Sequence, residues 1–115
     1  MKEFPAFMLQ AANAVKSASV SDPLEGFLYE GRDGTQIVLW QCENGGTCAT
    51  HTHDYDEYAV VLSGTFTGYI GDKFVTMNPG DECHIPAGIP HSGEYTANYR
   101  AIDSFGGPRA QYQNS

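Results

Sequence analysis

From Ser19 onward, short apolar runs alternate with clusters of turn-forming residues along the chain. These clusters are rich in Gly, Pro, Asn and Asp, which supply the backbone conformations that tight turns need. The clusters are Asp22-Pro23, Gly31–Gly34, Asn44–Gly46, Ser63-Gly64, Gly71-Asp72, Asn78–Gly80, Pro86–Gly88 and Gly106–Pro108. The intervals between them are mostly close to the roughly 8–12 residues typical of a β-sandwich or β-barrel. The pattern therefore predicts an all-β fold built from short strands.

One predicted strand, Thr35–Cys42, is apolar on both of its faces. Ile37 and Leu39 share one face, and Trp40 lies on the other face between two more apolar residues. Such a strand is covered by the core on one side and by something else on the other, and a neighbouring subunit is one candidate. Glu57–Ser63 has the same character. We therefore expect a homodimer, with Trp40 as a subunit contact.

Two other patterns predict local elements. Thr65–Ile70 and Lys73–Met77 flank the turn signal Gly71-Asp72, which is typical of a β-hairpin. Near the N-terminus, apolar residues recur at helical spacing over residues 4–18. This spacing predicts one short amphipathic helix on the outside of the β domain. The alternative is an irregular arm that crosses onto a partner subunit.

Composition limits the classes of protein to consider. The chain has 115 residues, the length of one domain, and its 41% hydrophobic and 17% charged residues exclude a disordered chain or a coiled coil. Fourteen acidic residues against six basic ones give a net charge of −8, which argues against nucleic acid as a partner. The longest apolar stretch, Tyr58–Leu62, is far shorter than the roughly 20 residues of a membrane helix. We therefore expect neither nucleic acid nor a membrane as a partner.

The cysteines and the N-terminus predict a cytoplasmic location. Cys42, Cys48 and Cys83 are odd in number and form no CxxC pair, unlike the cysteines of a small secreted domain. Cys42 and Cys48 flank a turn, so a disulfide between them is the alternative. The start of the chain does not fit a signal peptide, because Pro5 interrupts its apolar run and Glu3 lies where positive charge is expected.

Three of the four histidines could share one site. His51 and His53 are two residues apart in an extended stretch, so their imidazoles project to the same side. Glu57 keeps the same parity, and His91 follows Pro90 later in the chain. Three imidazoles and one carboxylate converging inside a barrel suit a divalent first-row metal. Each residue alone also has an ordinary explanation, because strand alternation accounts for the histidine pair and a lone histidine is commonly a hydrogen-bonded surface residue.

The spacing of these residues resembles the two sequence motifs of the cupin superfamily. The first motif is glycine, five residues, His-x-His, three or four residues, Glu, six residues and glycine, and its positions here are Gly45, His51, His53, Glu57 and Gly64. The second motif is glycine, five residues, Pro-x-Gly, two residues, His, three residues and Asn, and its positions here are Gly80, Pro86, Gly88 and His91, with Tyr95 in place of Asn. The two motifs extend over residues 45–95, so the resemblance covers close to half of the chain.

The resemblance to small single-domain cupins implies the fold and the metal ligands. The implied fold is a double-stranded β-helix of jelly-roll type. Its parts are a helix or arm over residues 1–20, the barrel over residues 21–107 and a polar C-terminal tail over residues 108–115. The implied ligands of one divalent transition metal (Fe, Mn, Ni, Co, Cu or Zn) are His51, His53, Glu57 and His91. Tyr95 leaves this ligand set complete and alters its surroundings.

This ligand set predicts a metal-binding protein, with two alternatives for its function. The first is an enzyme of the dioxygenase, isomerase or decarboxylase type that acts on a small oxygenated acid or another enolisable substrate. The second is a non-catalytic domain that binds or senses a small molecule. A divalent ion with one carboxylate ligand leaves a charge of about +1, which favours bidentate anions such as 2-oxo acids, enolates, β-diketones and hydroxy acids. We therefore expect an anionic small-molecule ligand.

Further pocket residues are predicted from strand parity. The candidates are Tyr55, Cys83 and Ile85. Tyr55 shares the parity of the histidine pair, and Cys83 and Ile85 share one face of the strand that leads to Pro86, of which one face lines the barrel. His84, on the other face, is expected to lie outside the ligand set. Asp54 and Asp56 are expected to form a solvated acidic turn that points away from the pocket.

Overall fold

The computed structural model describes residues 3–16 and 24–105 of the chain. Over these residues the chain forms two 3-10 turns, Ala6–Met8 and Ala11–Asn13, and ten β-strands. The strands are β1 (Ala14–Lys16), β2 (Glu25–Glu30), β3 (Gln36–Cys42), β4 (Gly46–His51), β5 (Glu57–Ser63), β6 (Phe66–Ile70), β7 (Lys73–Met77), β8 (Glu82–Ile85), β9 (His91–Tyr95) and β10 (Tyr99–Phe105). The predicted all-β fold is confirmed. Within the same residues, no helix is long and apolar enough to cross a membrane.

The strands form two antiparallel sheets in a jelly-roll arrangement. One sheet has the order β1-β2-β3-β10-β5-β8, and the other has the order β4-β9-β6-β7. From β3 to β6 the chain passes from one sheet to the other at every step, so neighbouring strands in the sequence lie on opposite walls of a barrel. The inner faces of both walls meet in one apolar core, which includes Val38, Val61, Met77, Ala101 and Phe105. This is the double-stranded β-helix that the sequence predicts.

The hairpin predicted around Gly71-Asp72 is formed by β6 and β7. Its register pairs Phe66 with Met77 and Ile70 with Lys73. Gly71 has a φ of 63°, a conformation that glycine adopts without steric cost. The turn residue therefore explains why the chain reverses at this position.

Strand β3 is buried on its inner face and only partly covered on its outer face, where Ile37 stays 44% exposed. Trp40 is 4% exposed and belongs to the core inside the barrel. Leu39 faces outward and packs in a second apolar cluster with Phe4 and Phe27. The expectation that Trp40 is a subunit contact is wrong, because its side chain points into the barrel of its own chain. The N-terminal segment supplies part of the cover that we assigned to a partner.

The amphipathic helix predicted over residues 4–18 is wrong for the part that the structure describes. Residues 6–8 and 11–13 form separate 3-10 turns, and Val15 lies in β1, which pairs with β2. A helix of this length is marginal by itself, so contacts with the sheet decide the conformation. Phe4 gains burial against the outer face of the sheet, with 4% of it exposed, and β1 gains backbone hydrogen bonds at the sheet edge. Residues 17 and 18 of the predicted helix lie outside the described residues.

Several other expectations are settled or lie outside the structure. Cys42, Cys48 and Cys83 are free, so the alternative disulfide is not formed. The predicted domain boundaries near residues 20 and 107, and the polar tail over residues 108–115, lie outside the described residues.

Candidate metal centre and cavity

Two strand ends and one loop bring three imidazoles together. His51 is the last residue of β4 and lies directly opposite His91, the first residue of β9. His53 follows two residues after the end of β4. The ring centroids of His51 and His91 are 4.2 Å apart, and those of His53 and His91 are 4.7 Å apart. One donor atom from each ring lies within 4.8 Å of the other two, which is close enough for one ion to contact all three.

Backbone carbonyls fix the orientation of two of these rings. Nδ1 of His51 lies 2.8 Å from the carbonyl oxygen of Ala49, and Nδ1 of His91 lies 3.0 Å from the carbonyl oxygen of Ile89. A carbonyl only accepts hydrogen bonds, so each Nδ1 carries the proton and donates it. Nε2 is then left with its lone pair in both rings. This is the tautomer that a histidine needs for binding a metal through Nε2.

The protonation of His91 also suits a ligand. Burial lowers the pKa of His91 from its ordinary value, and the neighbouring His51 adds to the lowering. The hydrogen bond to the Ile89 carbonyl and the charge of Glu57 act in the opposite direction but do not reverse the shift. The ring is therefore neutral at pH 7, and a neutral imidazole is the form that coordinates metals.

Glu57 lies beside the imidazoles and is less closely placed than they are to one another. It is the first residue of β5 and is 8% exposed. Its Oε1 lies 3.6 Å from Nε2 of His53, and it does not belong to the group of three whose donor atoms all lie within 4.8 Å. A donor set of three imidazoles with one adjacent carboxylate nevertheless fits a divalent first-row metal.

The histidines open onto a cavity of about 720 Å³ between the two sheets. This volume is within the range of small-molecule sites. The predicted pocket residues Tyr55, Cys83 and Ile85 all line it, whereas the other face of β8 is exposed. Tyr55 is held between two rings, with its centroid 4.7 Å from that of His53 and 5.1 Å from that of Phe105. The inner face of β8 is therefore the one that carries Cys83 and Ile85.

The thiol of Cys83 is not activated in this position. Burial raises the pKa of its thiol to about 12, and the carboxylates of Asp103 and Glu57 contribute to the increase. The thiol therefore stays protonated at neutral pH. Because the thiolate is the nucleophilic form, Cys83 is not suited to act as a nucleophile.

Asp56 and His84 lie on the outside of the barrel, where Asp56 contacts both β8 and the turn that follows it. Oδ1 of Asp56 accepts a hydrogen bond of 2.9 Å from the backbone of Ala87, and Oδ2 lies 3.1 Å from Nε2 of His84. These two contacts, the Ala87 bond first, lower the pKa of Asp56 from its ordinary value. The ring of His84 stacks on Tyr58 at 4.5 Å. His84 therefore lies outside the histidine group, as expected, and Asp56 holds the turn that leads to His91.

The alternation predicted around the histidine pair continues through the loop after β4. The strand itself ends at His51, but Asp54 and Asp56 are exposed whereas His53, Tyr55 and Glu57 are not. Asp54 therefore lies in a solvated acidic turn, as expected, at the rim of the cavity.

Sequence reasoning missed a second carboxylate in the cavity. Asp103 lies on β10, lines the cavity and accepts a hydrogen bond of 3.0 Å at Oδ2 from Nε1 of Trp40. The available signal was alternation, since Ala101 and Phe105 on either side of Asp103 are buried in the core. Tyr95, at the position that departs from the second motif, also lines the cavity, with its ring centroid 4.7 Å from that of Tyr99.

Comparisons with known proteins agree with this architecture. The family model described as "Cupin domain" matches residues 38–101, which is more than half of the chain. No curated protein matches the chain. The solved structures that resemble it share the fold at low sequence identity.

Three of these structures come from different bacteria. KdgF from Halomonas sp. is 18% identical with a TM-score of 0.71, and the match covers 84% of this chain and 87% of KdgF. An RmlC-like cupin from Shewanella frigidimarina is 16% identical with a TM-score of 0.74, over 96% of this chain and 97% of that one. An oxalate decarboxylase from Bacillus subtilis with Mn(II) centres is 18% identical with a TM-score of 0.64, over 76% of this chain and 26% of that one.

Proposed function

Because the chain belongs to the cupin family, we propose that it is a metal-dependent enzyme that moves a proton on a small enolisable substrate. Keto–enol isomerisation needs this step, and so does a decarboxylation that forms an enolate. The observation that carries the proposal is the convergence of three imidazole donors, within 4.8 Å of one another, on the wall of the cavity between the two sheets. A divalent metal bound there would polarise a carbonyl oxygen of the substrate.

The residues proposed to hold the metal are His51, His53 and His91, with Glu57 as the fourth ligand. The carbonyls of Ala49 and Ile89 keep the first and third of these rings in the Nδ1–H tautomer before any ion arrives. Because these two rings are already oriented, metal binding loses less side-chain entropy. Glu57 would reduce the charge of a divalent site to about +1, which supports an anionic oxygen chelate as the ligand.

The cavity wall supplies partly apolar surroundings for such a reaction. Its aromatic and aliphatic residues lower the local dielectric constant around a bound substrate, which strengthens electrostatic interactions with it. These residues include Trp40, Phe66, Met77, Ile85 and Tyr99. The thiol of Cys83 is protonated, so we assign it no chemical step.

The test is deuterium exchange in protein loaded with Mn²⁺, Fe²⁺ or Zn²⁺. We expect the loaded wild type to incorporate solvent deuterium at the carbon next to the carbonyl of at least one 2-oxo acid, hydroxy ketone or β-diketone. Proton NMR in D₂O would measure it, and the rate should exceed that of loaded His91→Ala by about a hundredfold or more. His84→Ala, which removes a histidine on the outer surface, is the matched control and should exchange like the wild type.

Two other results would overturn the proposed reaction. Consumption of dioxygen by the iron-loaded protein, without exchange, would identify a dioxygenase. Ligand binding to the loaded wild type without exchange or oxygen consumption would identify a non-catalytic binding or sensing domain.

A homodimer in the cytoplasm is part of the same proposal. The outer face of the larger sheet supports the dimer, because Ile37 is 44% exposed and Phe7 is 74% exposed beside the buried Leu39. The free cysteines support a reducing compartment. Sedimentation velocity at micromolar concentration should show a dimer, and a clean monomer would contradict this part of the proposal.

A further inference from the structure

Asp103 is a carboxylate inside the barrel that the metal ligand set does not use. It lies on β10, the strand between β3 and β5 in the larger sheet. The indole N–H of Trp40 donates a hydrogen bond to Oδ2 of Asp103 across 3.0 Å. Trp40 is itself 4% exposed, so its ring cannot move freely, and it fixes the direction in which the carboxylate points.

The strand register places Asp103 near the candidate metal centre. On β10, Phe105 pairs with Glu57 of β5, and Asp103 pairs with Ala59 of the same strand. Asp103 and Glu57 are therefore diagonal neighbours on the inner face, at a separation of about 7–8 Å between positions of this kind. Ala59 lies between Asp103 of β10 and Cys83 of β8, and it pairs with both. Its small side chain leaves space in front of the Asp103 carboxylate.

The charges of the cavity limit what a ligand can carry. Among the described residues that line it, Asp54, Glu57 and Asp103 are acidic, and none is Lys or Arg. A ligand carboxylate that is not bound to the metal would therefore meet negative charge and no basic side chain from this part of the chain. A ligand hydroxyl placed there would instead donate a hydrogen bond to Asp103, and hydrogen bonds to charged groups are the stronger kind.

We propose that Asp103 selects the ligand, favouring hydroxy-carbonyl chelates whose negative charge is confined to the metal-bound oxygen and disfavouring chelates that carry a further carboxylate away from the metal. The inference rests on the proposed function and narrows its substrate class. Enolates and deprotonated hydroxy ketones carry their charge on the metal-bound oxygen. A chelate with an additional carboxylate that is not bound to the metal places a second negative charge opposite Asp103.

Calorimetric titration of the Mn²⁺-loaded protein with three probes tests the inference. Kojic acid and allomaltol chelate through the same hydroxy-ketone group and differ in one hydroxyl, which is replaced by hydrogen in allomaltol. Comenic acid has the same chelating group and carries a carboxylate in place of the hydroxymethyl group of kojic acid. We expect the wild type to bind kojic acid about fivefold more tightly than allomaltol. Asp103→Asn should reduce this difference and tighten the binding of comenic acid about tenfold, because one negative charge is removed.

Glu82→Gln is the matched control, because it removes a carboxylate from the exposed face of β8 and should change none of the three affinities. Equal affinities of the wild type for kojic acid and allomaltol would overturn the hydroxyl contact, and this comparison decides the proposal even where Asp103→Asn does not fold. Unchanged affinity for comenic acid in folded Asp103→Asn would overturn the charge selection. A wild type that takes up no Mn²⁺ would overturn the proposed metal centre, and the inference with it.

Discussion

Replacing His91 with alanine is expected to weaken metal binding by at least about a hundredfold. His91 is 8% exposed, its ring lies within 4.2–4.7 Å of both other candidate ligand rings, and its Nδ1 is already bonded to the Ile89 carbonyl. Removing it leaves two imidazoles and Glu57, which cannot surround an ion from the β9 side. Competition titration with a metallochromic chelator would measure the change in affinity.

The control for this prediction is His84→Ala. His84 contacts Asp56 and Tyr58 on the outer surface, and the three-histidine group does not include it. Metal affinity should therefore stay within about twofold of the wild type. Far-ultraviolet circular dichroism should show a folded β protein for both variants. Equal affinities of wild type and His91→Ala would remove His91 from the ligand set.

The largest expected loss of stability comes from Gly68→Ala in β6. Gly68 pairs with Gly93 of β9, and a Cβ at position 68 would collide with the backbone carbonyl of Ser92. Because the obstacle is the backbone of a paired strand, the clash cannot be relieved by rotating a side chain. We expect the free energy of unfolding to fall by about 3 kcal/mol or more, at the upper end for overpacked sites. Urea denaturation would measure it.

Thr76→Ala is the matched control in the same sheet. Thr76 is exposed on β7 and pairs with Thr67 of β6, so its side chain has room on the solvent side. The loss of stability should stay below about 1 kcal/mol.

Gly68→Ala should also weaken metal binding, because β9 begins with His91 two residues before Gly93. Wild-type stability in Gly68→Ala would contradict the close approach of β6 and β9.

The two motifs predicted the histidine group because they encode position along strands as well as residue type. His51 and His91 come from opposite ends of the motif region, and the register of β4 with β9 places them side by side. The turn at residues 86–88 fixes where β9 starts, and Gly88 donates a hydrogen bond of 2.7 Å to the carbonyl of His53. The motif spacing carries this information, so the resemblance to the family was sufficient to indicate the histidine group.

Other features depend on contacts between distant segments, and the sequence did not indicate them. The N-terminal spacing fits a helix, yet burial of Phe4 against the sheet and pairing of β1 with β2 decide the conformation. Two-sided apolarity of β3 did not reveal which side faces the barrel, and Trp40 proved to be inside. Asp103 escaped notice because an acidic residue in an apolar strand is ordinarily assigned to the solvent side.

The site combines contributions from both sheets. Two of the three imidazoles, His51 and His91, come from β4 and β9 of the smaller sheet, whereas the carboxylates of Glu57 and Asp103 come from β5 and β10 of the larger one. A ligand in the cavity between the sheets would therefore meet the candidate metal centre on one side and the carboxylate of Asp103 on the other. This arrangement suits a substrate that presents a chelating oxygen pair to the first side and a proton donor to the second.

The most direct test of the metal centre is elemental analysis of untagged protein, purified without chelators, beside the His51→Ala variant. The account predicts about one equivalent of iron, manganese, nickel, cobalt, copper or zinc per wild-type chain, and loss of most of it in the variant. Wild-type protein that is free of metal and also refuses added metal would contradict the account. Metal retained undiminished in His51→Ala would contradict it as well.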